Sequence, residues 1–292
     1  MDNDTVATMV WPAIVRSRIT FDQMGKNYEQ AANVSIEKEL IANVKCYWIK
    51  KNGMEARRRA IIYLHGGCFA LGSIRSHGAM VSHISDVLDT PILFIQYSLA
   101  PEHPFPQAIN EILKVYKYIR AVDIYDEIIF MGDSAGAGLA LHAISMINQK
   151  NMIRPSGLIM LSPWIDLKNN STSIYKNAAI DPILNKDQLE YFTSLYMGNT
   201  DLSKANPYQN MYGKFPPALI ISGSSEILLD DSKKAFSSIW ETQPLTRLKI
   251  YDNASHVFLL DSMTSETSVS ALKEMRTFII ELAGHFHNKL VY

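Results

Sequence analysis

The chain has 292 residues, 47% of them hydrophobic and 20% charged, with a formal net charge of −1. That length and apolar content suit one large α/β domain or two modest ones with a full core. The near-zero charge excludes a broad field favouring nucleic acid or anionic lipid. The dense basic run Arg57-Arg58-Arg59 reads as a solvated loop before a strand.

Two cysteines, Cys46 and Cys68, form neither a disulfide framework nor a metal spacing, so a reducing, cytoplasmic location is expected. The opening "MDNDTVATMV" is acidic and lacks an apolar h-region, which argues against a signal peptide. No apolar run approaches the ~20 residues needed to span a bilayer. Nothing has metal-ligand spacing, and no cofactor is implied.

In chain order, "ITFDQMGKNYEQAA" reads as a helix, with Thr20 and Gln23 as a capping box and Phe21, Met24 and Tyr28 on one face. Residues 33–40 and 44–50 alternate as strands, and the short connection Ile41-Ala42-Asn43 favours an antiparallel pair. Four apolar runs follow, "AIIYL", "PILFIQY", "EIIFM" and "GLIML", short enough to be strands buried on both faces. Helical stretches such as "AINEILKVYKYIR" lie between them, which implies a parallel sheet covered by helices. The segment 167–214 is polar and holds two expected helices, one around 186–197 and one before it; it reads as an insertion. Strands "ALIIS" and "LKIYD" come next, then a helical tail over about 264–287. The fold class is therefore α/β, a single domain over 1–292 with cap elements at about 1–32 and 167–214.

The stretch "FMGDSAGAGL" carries the chemistry. It joins a strand to a helix through G-x-S-x-G, the nucleophile elbow in the context that motif requires. Gly132 and Gly136 sit where a tight turn excludes side chains, and the following helix N-terminus favours negative charge near Ser134. Attack by a serine on a carbonyl creates an oxyanion, which preorganised N–H groups stabilise. The glycine turn in "YLHGGCFALGS" follows a strand directly. The oxyanion hole is therefore assigned to the N–H groups of Gly67, Cys68 and Ala135.

Taken together, "HGGCFALGS", "YSLAPEHPFP", "GDSAGAGLAL", "LSPWIDL", "DPIL", "GSSEILLDDS" and "SHVF" resemble the hormone-sensitive-lipase type of serine esterase, of the α/β-hydrolase fold. The resemblance spans about residues 45–260. That family's usual oxyanion motif is His-Gly-Gly-Gly, and this chain departs from it with Cys68 at the third glycine. Only the backbone N–H is needed there, but a positive φ would strain a cysteine. The resemblance also implies that His65 orients the loop, that Asp166 sits in a structural turn, and that activity is on short acyl esters.

His256, after the last strand and before the terminal helix, stands where an α/β-hydrolase base belongs. His77, His83, His103, His142, His285 and His287 read as surface or core filler. For the acid, the loop after "ALIIS" offers Glu226, Asp230 and Asp231, with Asp252 more remote. The resemblance places the acid at Glu226, and Asp230 and Asp231 are expected to cap the next helix. Glu102 is expected to anchor its loop, and Asp133 to be structural.

The expected function is a serine carboxylesterase acting on a small-molecule ester, with no nucleic acid partner and no membrane span. Lactones or activated amides are alternative substrates. A non-catalytic ligand-binding role, as in proteins that resemble plant gibberellin receptors, is the alternative from another class. "LKIYD" is expected at a sheet edge, which predicts a homodimer.

Overall fold

The computed structural model describes residues 3–54 and 58–289. Arg57 falls outside them, as do the side chains of His285 and His287. Among the described residues, eight strands form one sheet: β1 (Val34–Ile41), β2 (Val44–Lys51), β3 (Arg59–Leu64), β4 (Ile92–Ile95), β5 (Glu127–Asp133), β6 (Gly157–Leu161), β7 (Ala218–Gly223) and β8 (Arg247–Tyr251). Their order is β1-β2-β4-β3-β5-β6-β7-β8. β1 and β2 are antiparallel, β2 joins β4 antiparallel, and every other pairing is parallel. The β1–β2 turn uses Ala42 and Asn43 at φ 49 and 65, as a tight hairpin requires.

The parallel strands alternate between two cores. Ile62 and Leu64 pack with α3 (Gln107–Ala121), α4 (Ala135–Gln149) and α8 (Leu229–Trp240). Ile61 and Tyr63 face α2 (Ile74–Leu88) and α9 (Glu266–Lys289). Side chains of a strand point alternately to its two faces, so a sheet covered on both sides needs unbroken apolar runs. The expected doubly covered α/β sheet is present.

Three local expectations are corrected. Thr20 does not start a helix: it lies inside α1 (Asn3–Asp22), which passes into a 3₁₀ turn at Gln23–Lys26. Within that turn Gly25 abuts the Arg75 carbonyl of α2, with no room for a side chain. The run 91–97 is a strand only over Ile92–Ile95. Beyond it Gln96 accepts from the Ile74 N–H at the start of α2, and the Tyr97 hydroxyl donates to the His65 carbonyl at 2.6 Å. Nor is Arg59 a solvated loop residue: it opens β3 and pairs with Glu127 at 2.5 Å.

The stretch between β6 and β7 contains α5 (Thr172–Lys176), α6 (Lys186–Met197) and α7 (Leu202–Ala205). Asn185 starts α6 with a capping box completed by Gln188. β8 forms one edge of the sheet, with Ile250 exposed. No helix among the described residues is long and apolar enough to cross a membrane.

Candidate active site

β5 delivers the chain to Ser134, where φ is 51 and ψ −122. That backbone costs about 1–3 kcal/mol and persists only if its surroundings fix it. They do. The Ser134 N–H donates to the Leu161 carbonyl at 2.8 Å, and the Ser134 carbonyl accepts from Ala137 and Trp164, each at 3.1 Å. A Cβ on Gly132 would meet the Gly136 carbonyl carbon at 2.6 Å, so the two glycines let the strand and helix close on each other. The Ser134 Oγ is thereby held 2.9 Å from His256 Nε2.

Glu226, fully buried after β7, completes the line: its Oε2 lies 2.7 Å from His256 Nδ1. Its other oxygen accepts from the Gly223 N–H at 2.6 Å and from the hydroxyls of Ser222 at 2.5 Å and Ser162 at 3.0 Å. A carboxylate facing Nδ1 assigns the imidazole proton to Nδ1, which leaves the Nε2 lone pair for the serine hydroxyl. Ser162 also accepts from the Val257 N–H at 3.0 Å, so one hydroxyl ties the acid to the segment carrying the histidine.

Asp230 and Asp231 do not reach His256, and their expected capping of α8 is corrected. Both lie in its first turn but serve other backbone. Asp231 accepts from the Ile165 and Asp166 N–H groups, both at 2.9 Å, and Asp230 from the Ser173 N–H at 2.8 Å. Burial pushes the Asp231 carboxyl up to about 7. Asp252 is exposed on the surface.

The glycine loop is left-handed at three consecutive residues: Gly67, Cys68 and Phe69 have φ of 105, 54 and 62. The Leu71 N–H closes it on the Gly67 carbonyl at 2.7 Å. Among the described residues, the N–H groups of Gly67, Cys68 and Ala135 donate to no acceptor. The Cys68 thiol is buried, which pushes its pKa up to about 12.

Two buried groups hold this loop from behind. His65 stacks on Tyr97 at 4.3 Å, with Nδ1 2.8 Å from the Gly66 carbonyl. Burial, helped by nearby His77, pushes its pKa down to about 3, so it is neutral and unsuited to general-base work at pH 7. Asp133 accepts from the Gly66 N–H at 2.9 Å and the Tyr63 hydroxyl at 2.6 Å, and faces His77 Nε2 at 3.3 Å. Burial opposes its ionisation, but His77 and the Tyr63 bond outweigh that and hold the carboxyl below the usual range.

A cavity of roughly 320 Å³ opens over Ser134. Gly67, Cys68 and His256 border it; Phe21 and Met24 wall it on one side, and Leu184 and Phe192 on another. No group of three or more His, Cys, Asp or Glu among the described residues is arranged to hold a metal ion.

A family model described as the alpha/beta hydrolase fold matches residues 61–260. The chain belongs to this family. This alpha/beta hydrolase is 31% identical to an esterase of Acinetobacter venetianus over 271 residues, 91% of this chain and 88% of that one. It is 28% identical to an acetyl-hydrolase of Streptomyces hygroscopicus, over 74% of this chain and 73% of that protein. An esterase of the bacterial hormone-sensitive lipase family superimposes with a TM-score of 0.86 at 28% identity, covering 91% of this chain and 90% of that one. The hormone-sensitive-lipase homologue EstE7, from a metagenome library, gives 0.86 at 26% identity over 97% and 99% of the two chains. Within its family, the chain is thus of the hormone-sensitive-lipase type.

Two residues of this alpha/beta hydrolase site are missed by sequence reasoning. Ser162 carried a signal: a polar residue just past a strand's carboxyl end, where α/β sheets bind ligands. His77 carried none, because a histidine inside a helix does not reveal that it faces a carboxylate from another element. Arg18, from α1, pairs with Glu102 at 2.5 Å, so the anchoring expected of Glu102 involves a distant partner.

Proposed function

We propose that this alpha/beta hydrolase is a serine carboxylesterase of short acyl esters, with Ser134 as nucleophile, His256 as base and Glu226 as acid. The single observation that supports it most is the unbroken line from Glu226 to His256 to Ser134, at 2.7 and 2.9 Å.

The Ser134 Oγ attacks the ester carbonyl carbon while its proton passes to His256 Nε2. Glu226 holds the Nδ1 proton and offsets the imidazolium charge. The carbonyl oxygen becomes an oxyanion, which the N–H groups of Gly67, Cys68 and Ala135 receive. The intermediate collapses, the C–O bond to the alcohol breaks, and the Nε2 proton goes to the leaving oxygen. Water then gives a proton to His256, attacks the acyl carbon and releases the carboxylic acid with Ser134 restored.

The N-terminal segment and the 167–214 insertion act as cap elements, because both supply walls of the cavity. Its small volume supports short acyl groups, and lactones or activated amides offer the same electrophilic carbonyl. A histidine in hydrogen-bond reach of the serine favours catalysis over a purely ligand-binding role. Two buried, unpaired cysteines support a reducing, cytoplasmic location, and the edge strand β8 supports a homodimer. A monomer mass by light scattering at micromolar concentration would count against the dimer. The function itself is tested with p-nitrophenyl acetate: hydrolysis above background, abolished by Ser134→Ala, supports it, and hydrolysis that survives Ser134→Ala contradicts it.

A further inference from the structure

The insertion meets the glycine loop through one aromatic stack. The Tyr196 ring of α6 lies against Phe69 with centroids 3.9 Å apart and planes 15° from parallel. Trp164 packs on the same Phe69 at 5.3 Å, and all three rings are buried. The Phe69 carbonyl accepts from the Ala100 N–H at 3.0 Å, and the Tyr196 carbonyl from the Phe105 N–H at 2.7 Å. Among the described residues, the buried Tyr196 hydroxyl has no hydrogen-bond partner. What the Tyr196 side chain contributes is therefore its ring face and not a hydrogen bond. One and two turns earlier on α6, Phe192 and Gln188 border the cavity. A spacing of four places all three residues on one face of the helix.

We propose that Tyr196 is a positioning residue for the oxyanion hole: its ring holds Phe69, and through Phe69 the Cys68 N–H, in the geometry that receives the oxyanion. The proposal rests on the serine-esterase reading above. Cys68 and Phe69 are consecutive non-glycine residues at positive φ, which L-residues adopt only when packing over-determines them. At Phe69 that packing is the Tyr196 stack, the Trp164 contact and the Ala100 hydrogen bond. Without the stack the loop can relax toward ordinary φ, and the Cys68 N–H turns away. The oxyanion charge exists only in the transition state, so a misaimed donor lowers kcat and spares substrate binding. The α6 insertion would then be part of the catalytic frame as well as a wall of the cavity.

The test compares wild type with Tyr196→Phe, Tyr196→Leu and Phe69→Leu, each assayed below its melting midpoint. It uses p-nitrophenyl butyrate hydrolysis and inhibition by butylboronic acid, which forms a tetrahedral adduct on the serine. Wild-type hydrolysis that Ser134→Ala abolishes first establishes the esterase reading; its absence would overturn that reading by itself. Tyr196→Phe, which keeps the ring face, should stay within about twofold of wild type. Tyr196→Leu and Phe69→Leu should lose about tenfold or more in kcat and in boronic acid affinity, a fraction of the loss for deleting an oxyanion donor, with KM within about threefold. The proposal is overturned if Tyr196→Leu keeps kcat within about twofold of wild type. It is also overturned if the loss falls on KM with boronic acid affinity unchanged, or if Tyr196→Phe is as impaired as Tyr196→Leu.

Discussion

Glu226 Oε2 lies 2.7 Å from His256 Nδ1, while Asp231, a little further along the chain, turns its carboxylate to the N–H groups of Ile165 and Asp166. Two acids of one segment thus have different partners, and substitution separates them. Glu226→Gln removes the charge that fixes the imidazole tautomer and should lower kcat by up to ~10⁴-fold. Asp231→Asn keeps an oxygen for the same two N–H groups and should leave kcat near wild type. Steady-state kinetics with p-nitrophenyl acetate on folded protein check this. The reverse pattern would reassign the acid.

Asp231 instead sets a pH dependence of stability. Burial raises its carboxyl to about 7 in the folded chain, against about 3.9 when unfolded. Between those values the folded chain holds a proton that the unfolded chain has released. The group's contribution is therefore most favourable below about pH 3.9 and declines as pH rises toward 7. Asp231→Asn cannot titrate, so its melting temperature should fall less than that of wild type between about pH 4.5 and 7.5. Parallel melting curves for the two proteins would contradict the assignment.

Acyl length is bounded by the cavity. About 320 Å³, lined by Phe21, Met24, Leu184 and Phe192, suits a short acyl chain. Across a p-nitrophenyl ester series, kcat/KM should peak at hexanoyl or shorter. A peak at dodecanoyl or longer would mean that these walls do not bound the acyl group.

Cys68 borders the same cavity, and burial raises its thiol to about 12. Only the thiolate is an effective nucleophile, so a bulky thiol reagent should act slowly at pH 7 and faster as pH rises. Modification should inhibit by filling the cavity, and a bound substrate analogue should protect. Cys68→Gly suits φ 54 better and should keep activity while losing the inhibition; Cys46→Ser should change neither. Full activity after verified stoichiometric modification of Cys68 would remove it from the cavity wall.

The sheet was legible because "AIIYL", "EIIFM", "GLIML" and "ALIIS" must each be buried on two faces, and only a doubly covered sheet does that. The candidate residues Ser134, His256 and Glu226, which the structure brings together, could be named from the sequence because each follows a strand and occupies a motif position. The buried second layer was not legible. His77 opposite Asp133, Ser162 between Glu226 and Val257, and Tyr196 on Phe69 depend on pairings between distant elements. A capping box at Thr20 is a local signal, blind to the helix α1 that already runs through it, and the contact of Gly25 with Arg75 beyond the helix end is a tertiary one with no sequence signature. The same limit explains Asp231: a carboxylate in a first helical turn reads as a cap until a neighbouring backbone takes it.

The proposed mechanism makes Ser134 a nucleophile driven by His256. Mass spectrometry after treatment with a small alkyl fluorophosphonate tests it most directly. One adduct per chain is expected, mapped to the Ser134 peptide, formed in step with loss of esterase activity and nearly absent in His256→Asn. An adduct on another residue, or activity retained in protein fully labelled at Ser134, would contradict it.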